Sequence, residues 1–179
     1  MNATLETPVA TPTHRIFPQT PLPTYIVEVA SKLGSTDSMG QSILQQLPSL
    51  GIAGGREIRV SALYEIQGRL TLTQIQLACR GLLCDPITQE FRTDRSTPSS
   101  AFLIGPHWRV EVWLKPQVTD PVGESVRQAL PGLGLPEPSR VRTGTAYHIL
   151  GKLTPNQVER IANKLLANAI IHQTKVSQS

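Results

Sequence analysis

Tyr25-Ile-Val-Glu-Val29 and Trp108-Arg-Val-Glu-Val112 are one stretch written twice, 83 residues apart, and that spacing decides the fold. Shifted by 83 positions, the sequence lies on itself without a gap. Lys32 meets Lys115, Thr36-Asp37 meets Thr119-Asp120, Gly40 meets Gly123, and Leu47-Pro-Ser-Leu-Gly51 meets Leu130-Pro-Gly-Leu-Gly134. Arg59, Tyr64, Ile66, Gly68, Leu70, Thr71 and Gln74 meet Arg142, Tyr147, Ile149, Gly151, Leu153, Thr154 and Gln157. From Tyr25 to Ile87, 23 of 63 aligned positions are identical, against roughly one in sixteen expected from composition. The unit is duplicated, and the repeat sets the architecture before any element is assigned.

Each copy reads the same way. Tyr25, Val27 and Val29, like Trp108, Val110, Val112 and Leu114, alternate as a strand with one buried side. Asp37 and Asp120 are helix N-caps, the second followed by Pro121 at the first helical position. Met39, Ile43, Leu47 and Leu50, and Val122, Val126, Leu130 and Leu133, then form a helical stripe. Gly51 and Gly134 stand where such a helix would end in a left-handed residue. A second strand carries Ile58, Val60, Ala62, Tyr64 and Ile66 on one face, matched by Val141, Thr143, Thr145, Tyr147 and Ile149. Thr71 to Gln74 and Thr154 to Gln157 are capping boxes. Their helices are expected to bury Ile75, Ala78, Cys79, Leu82 and Val158, Ile161, Ala162, Leu165. Short strands near Ile87–Phe91 and Ile170–Val176 close each unit.

The expected class is therefore α+β, with two tandem β-α-β-α-β units resembling ferredoxin-like folds and packed as a pseudo-twofold pair. Repeat 1 covers residues 24–91 and repeat 2 residues 107–176, with a Ser-, Thr- and Pro-rich linker over 92–106 and a tail over 177–179. Residues 1–23 have no apolar period and are expected to form a loose arm. A unit of about 65 residues makes a marginal core alone, so the two are expected to pack sheet edge to edge, or sheet to sheet.

The formal charge is +4, from 17 basic and 13 acidic residues spread along the chain, and aromatics are 4%. That leaves little material for a base-stacking platform. An RNA-binding module using Arg56, Arg59, Arg69 and Arg142 is accordingly the weakest of the binding readings. No stretch reaches the ~20 apolar residues of a membrane span, and the N-terminal residues lack the pattern of a secretory signal. A soluble, cytoplasmic protein is expected.

No catalytic constellation is visible. His14, His107, His148 and His172 show no metal-ligand spacing. Cys79 and Cys84 make neither a disulfide framework nor a zinc site without further ligands. Gly51-Ile-Ala-Gly-Gly55 lies between a helix and a strand, the reverse of a phosphate loop. Glu28 and Glu111, at matching strand positions, read as a solvated strand face rather than an acid/base pair.

Val110-Glu-Val-Trp-Leu-Lys115-Pro-Gln-Val-Thr-Asp120-Pro-Val-Gly123 resembles the opening strand and helix start of the PurS family, an alternating strand followed by Lys-Pro and Asp-Pro-x-Gly. Leu165-Leu-Ala-Asn168 and Leu82-Leu-Cys-Asp-Pro-Ile87 are similar to the end of that family's second helix. Arg142-Thr-Gly-Thr-Ala-Tyr147 also resembles the joined PurS-like pair that opens the large single-chain form of phosphoribosylformylglycinamidine synthase. The chain departs from the family's Arg-x-Gly-Lys pattern: Thr145 and Ala62 stand at the lysine position, and Ser61 replaces the glycine in repeat 1.

The resemblance implies a non-catalytic assembly subunit in purine synthesis, bridging the synthetase PurL and the glutaminase PurQ so that ammonia passes between them. It implies no cofactor on this chain, although the complex uses ATP, Mg and glutamine. Homo-oligomers are open, and neither nucleic acid nor membrane is implied. Arg59 and Arg142, Tyr64 and Tyr147, and Trp113, which stands where repeat 1 has Ala30, are the candidate interface residues. The alternative is a ferredoxin-like small-molecule-sensing or protein-interaction module, because such folds host many functions.

Overall fold

The computed structural model describes residues 21–93, 102–103 and 105–178. Repeat 1 supplies β1 (Thr24–Ser31), α1 (Ser38–Gln46), β2 (Gly55–Gln67), α2 (Leu72–Ala78) and β3 (Gln89–Arg92). Repeat 2 supplies β4 (Trp108–Leu114), α3 (Pro121–Ala129), β5 (Arg140–Gly151), α4 (Pro155–Ile161) and β6 (His172–Gln178). All six strands form one sheet in the order β3-β1-β2-β5-β4-β6, antiparallel at every junction. The repeats thus join edge to edge along β2 and β5, whose pairing runs from Gly55–Gly151 to Gln67–Arg140.

Local chemistry starts and stops the helices. The Asp37 and Asp120 carboxylates accept from the Gly40 and Gly123 amides, both at 2.8 Å. Their other oxygens accept from the β2 and β5 amides of Val60 and Thr143, both at 2.6 Å. One carboxylate therefore caps each helix and pins it to the following strand. Both capping boxes are formed, at Thr71–Gln74 and Thr154–Gln157. Each of the first helices tightens into a 3-10 turn, Leu47–Leu50 or Leu130–Leu133, and closes on Gly51 or Gly134 at φ 69° or 73°. Those are left-handed values that glycine adopts without penalty.

Two sequence expectations need correction. Met39 and Val122 open the apolar helical stripes, yet each is 56% exposed. The residues against the sheet are their neighbours: a Cβ on Gly40 would lie 1.9 Å from the Ile58 carbonyl oxygen, and one on Gly123 2.7 Å from that of Val141. Helix and strand touch through backbone there, which turns residues 39 and 122 outward. Leu82 was also expected inside and is exposed, whereas Leu83 and Leu166 are buried. Single π turns at Cys79–Leu83 and Ala162–Leu166 add a residue to the helix ends and rotate the next leucine inward. Leu165 stays half-buried at the core's margin.

The cores cross between repeats. One is built from Val27, Val29, Ile66, Ile75 and Cys79 of repeat 1 together with Val126, Leu130 and Val141 of repeat 2. The other joins Val110, Val112, Ile149, Val158 and Ile161 of repeat 2 with Ile43, Leu47 and Ile58 of repeat 1. The first helix of each repeat therefore completes the other's core. Cys79 and Cys84 are free thiols, and burial, foremost, pushes Cys79 up to about 12. Among the described residues no helix is long and apolar enough to cross a membrane.

Candidate functional site

Helices cover one sheet face; the other carries the even-numbered residues of β1 and β5 and the odd-numbered residues of β2 and β4. Here the structure corrects the reading of Glu28 and Glu111 as solvated. They are 7% and 3% exposed, because Phe102 and His107 lie against His148 on this face and are themselves buried. Alternation alone cannot show that a segment joining the repeats will cover the second face of a sheet.

Beneath that cover is a polar layer. Glu28 Oε1 accepts from Ser61 Oγ at 2.5 Å, His148 Nε2 at 2.7 Å and Arg109 Nη1 at 2.8 Å. Arg109 Nε donates to Glu111 Oε1, and Trp113 Nε1 to Glu111 Oε2, both at 3.0 Å. His107 Nδ1 donates to the Gly105 carbonyl at 2.8 Å, and its Nε2 lies 3.0 Å from His148 Nδ1. The Phe102 ring stands 5.8 Å from that of His148, and the Arg92 guanidinium 4.4 Å over Phe102.

Burial pushes the Glu28 carboxyl up, but the His148 and Arg109 hydrogen bonds and the Arg109 charge outweigh it and hold the group at about 2. Burial lowers His148, against the opposing pull of Glu28. Burial also opposes the Arg109 charge, while Glu28 and Glu111 more than restore it, so its pKa is raised. Such a layer orients and locks side chains; it is also one-sided. Across the 83-residue shift, Arg109 corresponds to Ile26, His148 to Glu65, Ser61 to Gly144 and Trp113 to Ala30. Only Glu28 and Glu111 are shared.

The candidate interface residues fall into distinct settings. Arg59 is buried at 5% exposure, its Nη2 donating to the Ser31 and Lys32 carbonyls at 2.6 and 3.3 Å. Its counterpart Arg142 does the same at Leu114 (3.1 Å), is half-exposed, and also pairs with Glu65 at 3.2 Å. The two arginines clamp the ends of β1 and β4. Arg142 lies 5.5 Å from the Trp113 ring, and Trp113 is 7% exposed. Its indole occupies the space a Cβ on Gly144 would take, 2.7 Å away. Tyr147 is buried at 9% and Tyr64 is half-buried, on the helix side of the sheet. The structure does not bring these five residues into one patch.

A family model described as PurS, phosphoribosylformylglycinamidine (FGAM) synthase, matches residues 24–97 and again residues 107–179. The chain belongs to the PurS family. It carries the PurS unit twice, once on each side of the β2–β5 junction. Among solved structures, a B. subtilis PurS is 28% identical, covering 42% of this chain and 99% of its own, with a TM-score of 0.38. The Methanocaldococcus jannaschii PurS, described as one of the subunits of formylglycinamide ribonucleotide amidotransferase in the purine biosynthetic pathway, is 27% identical. It covers 42% of this chain and 96% of its own, with a TM-score of 0.34. No curated protein matches the sequence.

Proposed function

We propose that this tandem PurS chain is the non-catalytic assembly subunit of phosphoribosylformylglycinamidine synthase in purine synthesis. In this reading it holds the synthetase PurL and the glutaminase PurQ together in the cytoplasm, so that ammonia passes from one to the other. The observation that carries it is the match of the PurS family to both repeats. The shared cores add support, because they fix two related but unequal halves in one arrangement. Ammonia released into water is diluted and protonated, so its transfer gains from sites held in one enclosed assembly. ATP, Mg and glutamine belong to the complex in this reading, with no cofactor held by this chain.

Of the five candidate interface residues, Tyr64 and Arg142 retain exposed surface and are the ones proposed to meet a partner directly. Arg59, Tyr147 and Trp113 act through the frame that positions them. The test is reconstitution with PurL and PurQ from the same organism, following glutamine-dependent amidine formation and co-elution. Activity and a stable complex only with this chain present are expected. Equal activity without it, and no co-elution, would sink the assignment.

A further inference from the structure

Ile87 and Ile170 are the two most exposed large apolar side chains among the described residues, at 81% and 79%. They are also one position of the repeat, among the 23 of 63 that survive identical in both copies. Neither contributes to a core, and a polar residue at a loop tip would serve solubility better.

The turns presenting them share one hydrogen-bond frame, in which the lysine is kept and the two side-chain acceptors have changed. Asp85 Oδ1 accepts from the Ile87 amide, and Asn168 Oδ1 from the Ile170 amide, both at 2.9 Å. Gln89 Oε1 accepts from the Asp85 amide at 2.9 Å, and His172 Nδ1 from that of Asn168 at 3.0 Å. Lys32 Nζ donates to the Pro86 carbonyl at 2.7 Å and Lys115 Nζ to the Ala169 carbonyl at 2.6 Å. The chemistry around each tip has diverged while its geometry and its isoleucine have stayed.

The tips lead into β3 and β6, the opposite edges of the sheet. Five strand spacings of ~4.8 Å put at least ~24 Å between them. β3 starts beside the end of β1 and β6 beside the end of β4, strands that run in opposite directions, so the tips occupy diagonal corners. One compact pocket cannot hold both. Their surroundings differ in charge as well: each tip keeps its lysine, Lys32 or Lys115, but Asp85 and Glu90 flank Ile87 where neutral Asn168 and Gln173 flank Ile170, and exposed Ile171 replaces Thr88.

We propose that Ile87 and Ile170 are the anchor side chains of two separate docking tips, each seating in an apolar socket on a different protein subunit of the synthase. The Ile87 socket is rimmed by cationic side chains that answer Asp85 and Glu90. The Ile170 socket lacks those cations and is wider, taking Ile171 as well. This rests on the assembly reading above and names the contacts that would make the bridge.

The test uses the full chain and its Ile87→Glu, Ile170→Glu and Val122→Glu variants, titrated separately into PurL and PurQ at two salt concentrations. Val122 is an exposed apolar control on α3, outside the turns that form the tips. All three variants should melt like the parent, since the altered side chains are outside the cores. Each tip variant should weaken one partner by about tenfold or more and leave the other unchanged, with Val122→Glu neutral. Binding through Ile87 should be the more salt-sensitive of the two. Parent-like affinity of both tip variants overturns the docking tips and leaves the assembly role standing. A parent chain that binds neither subunit overturns both readings. Loss of self-association alone assigns the tips to a second copy of this chain and overturns the occupants named here.

Discussion

Ala62 on β2 stands opposite Thr145 on β5, and the two are a single position of the duplicated unit, 83 residues apart. The local twofold axis therefore passes between them, and the neighbouring pairs obey it. Ser61 faces Ala146 and Leu63 faces Gly144, while Ser61 corresponds to Gly144 and Leu63 to Ala146. The centre of the sheet is thus a two-chain contact made within one chain, and the consequences can be measured.

An isolated repeat should not exist as a folded monomer. Residues 21–93 alone would expose the apolar surface that Val126, Leu130 and Val141 cover. Size-exclusion chromatography and circular dichroism of that fragment should show either an unfolded chain or a dimer. A cooperative folded monomer would contradict the crossed cores.

Gly40→Ala should destabilise the chain by roughly 2 kcal/mol or more, because its Cβ would meet the Ile58 carbonyl oxygen at 1.9 Å, an immovable backbone atom. Gly132→Ala, whose Cβ meets nothing within 4 Å, should stay within about 0.5 kcal/mol. Urea unfolding of the two variants side by side checks the contrast.

Stability should fall with acidification in two stages. His148 is shifted down on folding, so its contribution is full above its ordinary 6.5 and fades as the pH drops below that. Glu28 is also shifted down, from 4.5 to about 2, so its contribution is full above 4.5 and is lost between those values. The Glu28 stage is worth on the order of 3 kcal/mol. Glu28→Gln should abolish the lower stage and weaken the protein at neutral pH, leaving Arg109 buried with one carboxylate fewer. Unfolding midpoints from pH 8 to 3 would show it, and parallel profiles for variant and parent would refute it.

Trp113→Ala should cost about 3–5 kcal/mol, since a 7%-exposed indole would leave a void over Gly144 and remove a hydrogen bond to Glu111. Trp113→Phe should recover most of the packing but not that hydrogen bond. Chemical denaturation of both variants separates the two contributions.

The duplication, the strand faces and the caps at Asp37, Asp120, Thr71 and Thr154 were legible because they depend on residues close in sequence or on an exact internal match. Met39, Val122 and Leu82 were misplaced because a helical period assumes side-chain contact and an unbroken turn. Gly40, Gly123 and the π turns violate those assumptions locally, and the matched glycines were the available signal for the first. The polar layer was not legible at all. Its members come from β1, β2, β4, β5 and the segment before β4, and the charged ones read as ordinary surface until something covers them. The clamps made by Arg59 and Arg142 were visible only as matching positions, because their acceptors are carbonyls, which every sequence supplies.

The crossing of the first helices also bears on dilution. Two separate PurS-like units completing each other's cores through α1 and α3 would depend on each other's concentration and part below their dissociation constant. Joined in one chain, each meets its partner at an effective concentration of the order of millimolar, however scarce the protein becomes. The stoichiometry of the halves is then fixed at synthesis. Arg109, His148 and Trp113 can accumulate on one side alone, without a mixed population of like and unlike pairs ever forming.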